Sequence, residues 1–348
     1  MPLNSNPLIS VIMSVYNEQE YIKDAVCSIL KQTEPDFEFI IIDDCSTDDT
    51  VNIIEDINDD RIILIKNETN MGLTKNLNKA LAIARGRFVA RMDGDDISMH
   101  DRFATQVRYL DEHPDIMLIS CNTSTFGEQR LVSDITESPE ELRCTMLLRP
   151  VLAHPGFMFR KELYDSYGFK YDEHFRSAQD YDFAARVTRK YKIGVTPEVL
   201  LLYRAHKGQV SQTPTLKQFG FADEVRTRLL SDLGISLTEP GSVRTTPASD
   251  IDAYHKWVLE VDAAKDEFIK CMRILKKILD SNTQTYDHAI LKKTLWYQYF
   301  KWVLRTNGKK HIFSICAIFP GRYYALLKTF IRIAGSKHRR KQYLTVLP

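Results

Sequence analysis

The chain has 348 residues, 44% hydrophobic and 27% charged, which is ordinary for a folded soluble protein. That length allows one large α/β domain with something smaller attached. The net charge of +1 conceals an asymmetry: from Ala289 onward there are thirteen Lys or Arg and no Asp or Glu, leaving 34 basic against 46 acidic residues upstream. A basic tail on an acidic body points to an anionic partner for the tail, a membrane surface or a nucleic acid. The six cysteines (Cys27, Cys45, Cys121, Cys144, Cys271, Cys316) form no C-x-x-C pair and have no His at zinc spacing, so they read as reduced thiols in a cytosolic protein. The first residues carry neither the basic stretch nor the apolar core of a signal peptide. No run approaches the roughly 18 apolar residues of a bilayer span. His311 to Phe319 is too short and stops at Pro320. An integral membrane protein is not expected.

Leu8 to Val15 is a continuous apolar, β-branched run that suits a strand buried on both faces. It breaks at Tyr16-Asn17-Glu18, and Glu20 to Gln32 has helical spacing with Tyr21, Ala25 and Ile29 on one side. Phe37 to Ile42 predicts a second strand ending in Asp43-Asp44, with Ser46 to Asp49 as the cap of a helix over Val51 to Ile57. Arg61 to Lys66 is a third strand, followed by the loop NETNMGLT and a helix through Asn76 to Arg85. Phe88 to Met92 is a fourth strand. Strands and helices alternating at this length imply a parallel, doubly wound sheet. Ligands of such sheets sit beyond the carboxyl ends of the strands.

The fourth strand ends in three carboxylates, Asp93, Asp95 and Asp96, with Gly94 between the first two. That much like charge is unfavourable without a cation, and paired hard oxygen ligands suit Mg²⁺ or Mn²⁺. Read as a plain turn, the segment would use Asp96 to cap the next helix. G-x-G-x-x-G and G-x-x-x-x-G-K-[ST] loops are both absent, which argues against dinucleotide-dehydrogenase and P-loop chemistry. A metal on Asp95 could neutralise a diphosphate in their place.

The ordered series SVIMSVYNEQEYI, FIIIDDCSTDDT and NMGLTKNLNKALAIARGRFVARMDGDD resembles family 2 glycosyltransferases over roughly residues 8 to 211. The resemblance implies an α/β fold of GT-A type, a doubly wound mixed sheet flanked by helices, followed here by a C-terminal helical region. Carried over by position, Tyr16 would stack on the base of a nucleotide-sugar donor, with Ser14 and Asn17 lining its pocket. Asp44, with Asp43 the other candidate, would accept a hydrogen bond from the base. Lys75 and Asn76 fall at the family's basic-Asn position near the nucleotide. Asp93 would contact ribose or metal, and Asp95 would ligate Mn²⁺ or Mg²⁺.

Asp101 to His113 predicts a helix and Ile116 to Cys121 a strand, after which the pattern is less regular. In LAHPGFMF, His154 is the candidate on the acceptor side, or else a buried structural histidine. SAQDYDFAARV resembles the family's E-D motif with Gln179 where Glu is usual. By that likeness Asp180 is the catalytic base and Asp182 its rival. A carboxylate there can accept the proton of an acceptor hydroxyl. After the strand Val199 to Leu202, YRAHKGQVS resembles the terminal R-x-H segment, so His206 would reach the metal or diphosphate and Arg204 or Lys207 the phosphates. The processive Q-x-x-R-W motif is absent, which favours addition of a single sugar.

The expected organisation is a catalytic domain over 1–212, with nucleotide-sugar and acceptor halves meeting near residue 100, then a connector over 213–250. A basic, aromatic-rich helical region over 251–348 follows. Leu295 to Leu304 and Arg322 to Ile333 mix aromatics, leucines and bases, ending in Lys337, Arg339, Arg340 and Lys341. Such helices fit an anionic membrane surface, or alternatively pack on the catalytic domain. A nucleic-acid partner is not expected, because the acidic body would repel it. Together these features imply an inverting, metal-dependent transferase, peripheral on the inner face of the cell membrane. It would move one sugar, most simply from a UDP-sugar, to a glycan or lipid-linked glycan acceptor. An inactive nucleotide-sugar-binding protein on the same fold, and a nucleotidyltransferase, are the alternatives.

Overall fold

The computed structural model describes residues 6–127, 131–206, 216–235, 274–283 and 285–305. The chain divides into two compact units, Met1–Pro139 with Leu152–Phe221 and Glu140–Val151 with Ala222–Pro348.

The first unit is built on one sheet. Strand β1 (Ile9–Val15) pairs in parallel with β2 (Phe37–Asp43) and with β4 (Phe88–Met92), while β2 pairs in parallel with β3 (Ile62–Lys66). Nearly every side chain of β1, β2 and β4 is buried, as their unbroken apolar runs require. Helices α1 (Ile22–Leu30), α2 (Thr50–Glu55) and α3 (Leu73–Ile83) supply the crossovers. Beyond β4 come β5 (Ile97–Ser98), helix α4 (Arg102–Glu112), β6 (Ile116–Gly127), helix α5 (Pro139–Met146), β7 (Met158–Arg160), helices α6 (Glu162–Asp165) and α7 (Gln179–Thr188), and β8 (Lys192–Ala205). The strand order is β3-β2-β1-β4-β7-β6-β8-β5.

The sheet is mixed, as the family resemblance implied, and not all parallel as the alternation alone predicts. Strands β5 and β7 run antiparallel to their neighbours. β5 follows β4 through one short loop, whereas β7 follows β6 through a long segment that carries α5 and the 3-10 turn at His154–Gly156. Parallel pairing needs a crossover of a dozen or more residues, which the loop into β5 does not supply. Flanked by antiparallel β7, β4 and β6 point the same way, and β8 is parallel to β6. The carboxyl ends of β1, β2, β4 and β8 therefore share one edge.

Two strands are longer than their patterns indicate. β6 continues six residues past Cys121, where Asn122 is buried and its side chain is satisfied. The Asn122 amide donates to Pro197 O at 3.1 Å and accepts from Ser133 Oγ and Ile135 N. In β8, Pro197 argues against a strand, and the register shifts there, as a bulge at proline requires. The α2 cap falls within the expected Ser46 to Asp49 segment, where Asp48 accepts from Thr50 N and Oγ1.

In the second unit, α5 comes from the middle of the chain. Glu141 on α5 pairs with Lys293 at 2.7 Å, and Arg143 lies over the Tyr286 ring at 4.4 Å. Helix α8 (Leu216–Ser231) lies within the expected connector, residues 274–281 are helical, and a further helix covers His288–Arg305. Its buried face is Leu291, Thr294, Leu295, Gln298 and Tyr299, with Lys292 and Lys293 exposed. Tyr299 thus packs inward, while Trp296 and Tyr297 are half-buried. The segments Arg322 to Ile333 and Lys337 to Lys341 lie outside the described residues. No described helix is long and apolar enough to cross a membrane.

The turn before β4 is bonded to β1: Ser10 Oγ accepts Gly86 N at 2.7 Å and Arg85 N at 3.0 Å, and donates to buried Glu38 at 2.6 Å. A Cβ on Gly86 would lie 2.6 Å from Ile9 C, against backbone that cannot yield. Gly86→Ala is expected to lower unfolding free energy by about 3 kcal/mol, read from urea midpoints. Gly220→Ala in α8, where nothing lies within 4 Å, is the control and should be neutral or gain ~0.5–1 kcal/mol.

Candidate active site

At the shared edge, the Val15 carbonyl accepts Asp44 N at 2.9 Å, so Tyr16 emerges beside the end of β2. Tyr16 is 47% exposed and is no core residue. Asn17 adopts φ 57°, a conformation asparagine tolerates, and its side-chain oxygen accepts Thr47 N at 2.8 Å. Ser14 Oγ accepts from Asn76 Nδ2 at 3.0 Å; Asn76 Oδ1 accepts from Asn67, which also donates to Asp44. Asn76 is fully buried, so it acts inside the protein, while Lys75 beside it is exposed. Lys79, one turn on, is the lysine that enters this network, through Asn67 Oδ1 at 2.8 Å.

The two aspartates ending β2 have different tasks. Asp44 accepts Met71 N at 2.7 Å and Gly72 N at 2.8 Å and so pins the loop before α3. Burial works to raise its pKa, but the donors Asn76, Met71, Asn67 and Gly72 hold it below the ordinary carboxylate range. Asp43 accepts Ser46 N through Oδ2, and its buried Oδ1 has no partner. Of the two candidates for the base-facing carboxylate, Asp43 is the one with an unpartnered oxygen.

At the end of β4, the ligand atoms of Asp93, Asp95 and Asp96 lie within 4.8 Å of one another. Asp95 Oδ2 is 3.1 Å from His206 Nε2, just past β8, and the imidazole rests on Tyr21 at 4.7 Å. Asp96 does not cap α4; its Oδ1 accepts Arg204 N at 2.9 Å, and its buried Oδ2 has no partner. Burial, with Asp93 and Asp95 adding to it, pushes the Asp96 carboxyl well above its usual range. Arg204 donates to Asp95 O at 2.8 Å and its guanidinium lies between Tyr21 and Phe126, so it braces the acidic loop. Lys207 lies outside the described residues. An orphaned buried oxygen in a cluster of three carboxylates, one of which faces an imidazole, fits a divalent cation.

Asp180 occupies the first turn of α7, half-buried, behind Ala178 at φ 58°. Burial raises its pKa, which suits a base that must take a proton. The loop leading to it is held by α3: Asn78 exchanges two 2.9 Å hydrogen bonds with the Tyr171 backbone, and Thr74 Oγ1 donates to Phe175 O at 2.8 Å. Asp182 is 2% exposed and ion-paired with Arg186 at 2.7 Å, so its carboxylate is committed. His154 is buried too, with Nε2 2.9 Å from Tyr171 OH and its ring against Phe157. It is a core histidine. Burial, assisted by the nearby Arg91 charge, drives its pKa well below the ordinary value.

Two groups at the site escaped the sequence reading. Glu18 is half-buried, and burial together with Asp95, Asp93 and Asp48 pushes its carboxyl up to about 8. Arg91 is 2% exposed and grips Asp93 with both terminal nitrogens. A charge in the middle of a buried strand is itself the signal for Arg91, since such groups are almost never buried unpaired. Glu18 has no comparable signature.

The sequence profile of Glycosyl transferase family 2 matches residues 10–168. An uncharacterized glycosyltransferase of Methanocaldococcus jannaschii is 35% identical over 207 residues, covering 57% of this chain and 71% of that protein. The chain belongs to glycosyltransferase family 2. The enzyme is also 31% identical to Escherichia coli WfaP, named as a UDP-Glc:alpha-D-GlcNAc-diphosphoundecaprenol beta-1,3-glucosyltransferase, over 59% of this chain and 80% of that one. Its fold matches S. aureus TarS 1-349, solved with UDP-GlcNAc, at TM-score 0.56 and 21% identity over 85% of this chain and 88% of the other. The transferase therefore has the GT-A fold, and another relative, 26% identical over 62% of this chain and 79% of its own length, is named as a putative colanic acid biosynthesis glycosyl transferase of Escherichia coli.

Because folding lowers the His154 pKa, the unfolded chain binds the extra proton first, and stability falls as pH drops below the unfolded value of ~6.5. His154→Gln is expected to flatten the loss of urea stability between pH 7 and pH 5. An unchanged slope would remove His154 as its source.

Proposed function

We propose that the enzyme transfers a single sugar, with inversion, from a UDP-sugar to a hydroxyl of a glycan or lipid-linked glycan acceptor. The observation that carries this reading is the meeting of Asp95 with His206, 111 residues apart in the chain, at 3.1 Å on the strand edge that also bears Tyr16 and Asp43. The exposed Tyr16 ring offers a stacking face for the base, and the free Asp43 Oδ1 accepts a base N–H. Asp95 and His206 would hold Mn²⁺ or Mg²⁺, with Asp96, which offers a ligand atom within 4.8 Å of one on Asp95, as a further oxygen donor. When bound, the cation offsets the charge that builds on the leaving diphosphate.

Asp180 takes the proton of the acceptor hydroxyl as its oxygen bonds to the anomeric carbon. The bond from that carbon to the diphosphate breaks on the opposite face, releasing the nucleoside diphosphate. One displacement through an oxocarbenium-like transition state inverts the configuration. The diphosphate-lipid acceptor in the name of the E. coli relative, with the basic residues after Ala289, supports a site of action at an anionic membrane surface. The catalytic domain of this reading is 1–212.

A second reading rests on Gln179, which stands where a carboxylate is usual and whose buried Oε1 has no partner: a protein that binds the donor without transferring it. Calorimetry against UDP-, GDP-, TDP- and CMP-sugars, with and without Mn²⁺, should give one Mn²⁺-dependent UDP-sugar signal. At one hundred times its Kd, that ligand should stabilise the native state by about 2.7 kcal/mol. Asp180→Asn should keep that binding and lose at least ~100-fold in transfer. Persistent transfer would exclude Asp180 as the base. Binding by the native protein with no transfer to any acceptor would favour the second reading.

A further inference from the structure

Arg91 is a buried, tightly held cation at the site, and the mechanism does not use it. Its backbone N–H donates to Phe157 O at 2.9 Å, and its carbonyl accepts from the fully buried Arg102 at 2.8 Å. The side chain is only 3% exposed, and its two terminal nitrogens meet the two oxygens of Asp93, Nη1 to Oδ2 and Nη2 to Oδ1. A planar guanidinium matched to a carboxylate in this way engages both oxygens and offsets their charge, which weakens each as a metal ligand, and a buried fork is costly to open. The other two carboxylates of the cluster differ. Asp95 faces a histidine, and Asp96 keeps one oxygen without a partner.

We propose that Arg91 is a built-in counter-cation that withholds Asp93 from the divalent ion, so that the donor-free enzyme binds the cation weakly. The cation is left with Asp95, His206 and the spare Asp96 oxygen, a set too small to fill its coordination. The diphosphate of the donor completes it, which makes cation and donor bind as a pair. Arg91 is thus a positioning residue. It fixes the first carboxylate of the D-x-D for the sugar-nucleotide and keeps the site from filling with metal alone. This rests on the cation-dependent reading given above.

The test is Mn²⁺ binding to the donor-free enzyme, measured by electron paramagnetic resonance of the unbound ion, with a parallel series containing UDP. Arg91→Met frees the carboxylate and removes one like charge. It should tighten donor-free Mn²⁺ binding at least tenfold, a modest effect for a unit charge a few ångströms away. The double variant Arg91→Met/Asp93→Ala removes the pair as a neutral unit and should return Mn²⁺ affinity to within about threefold of native, because no ligand has been lost. Asp93 is 29% exposed, so the single variant leaves no wholly buried unpaired charge, and thermal midpoints check that both variants fold. Tenfold weaker Mn²⁺ binding in the double variant would show that Asp93 is a ligand and overturn the proposal alone. No tightening in Arg91→Met would overturn it equally. If the native enzyme binds no Mn²⁺ even with UDP, the cation-dependent reading itself falls, and this proposal with it.

Discussion

Like charge gathered at one sheet edge is the constraint on which the site depends. Glu18, Asp93, Asp95 and Asp96 come together because parallel pairing puts the ends of β1 and β4 side by side and leads β8 back to the same edge. Carboxylates this close cannot all ionise without opposing charge. The protein supplies part of it: Arg91 neutralises Asp93, and Arg204 braces the loop through Asp95 O and the Asp96 carboxylate. Raised pKa values at Asp96 and Glu18 absorb part of the rest. A donor diphosphate with its cation would meet a site already balanced to accept positive charge.

The same edge separates structural from chemical carboxylates. Asp44 spends its oxygens on the Met71–Gly72 backbone, and Asp182 is held by Arg186. Asp43 keeps a free oxygen, and Asp180 stays half-buried with a raised pKa. Adjacent residues of one chemical type thus divide into those that shape the pocket and those that can act in it. The division follows from which oxygens the backbone reaches first.

Much of this was legible in the chain. The apolar runs of β1, β2 and β4 announce buried strands, and their polar ends announce the ligand edge. The spacing of Asp93, Asp95, Asp180 and His206 carries the family likeness. Hydrogen-bond partners were not legible, because they come from residues distant in sequence. Nothing near DDCS shows that Asp44 would be claimed by the loop at Met71 and leave Asp43 free. The histidine in LAHPGF does not show that Tyr171 would enclose it. The extension of β6 through Asn122 was hidden because that polar side chain is satisfied from Pro197 and Ser133, distant in sequence. Only Arg91, a charge inside FVARM, left a trace that a closer reading of burial would have caught.

A crystal structure of the enzyme soaked with a UDP-sugar and Mn²⁺, with the metal located by anomalous scattering, tests the account most directly. It should show the base against Tyr16 with its N–H on Asp43, the metal on Asp95 and His206, and the anomeric carbon facing Asp180. Nucleotide bound away from this edge, or Asp180 on the diphosphate side of the sugar, would contradict it.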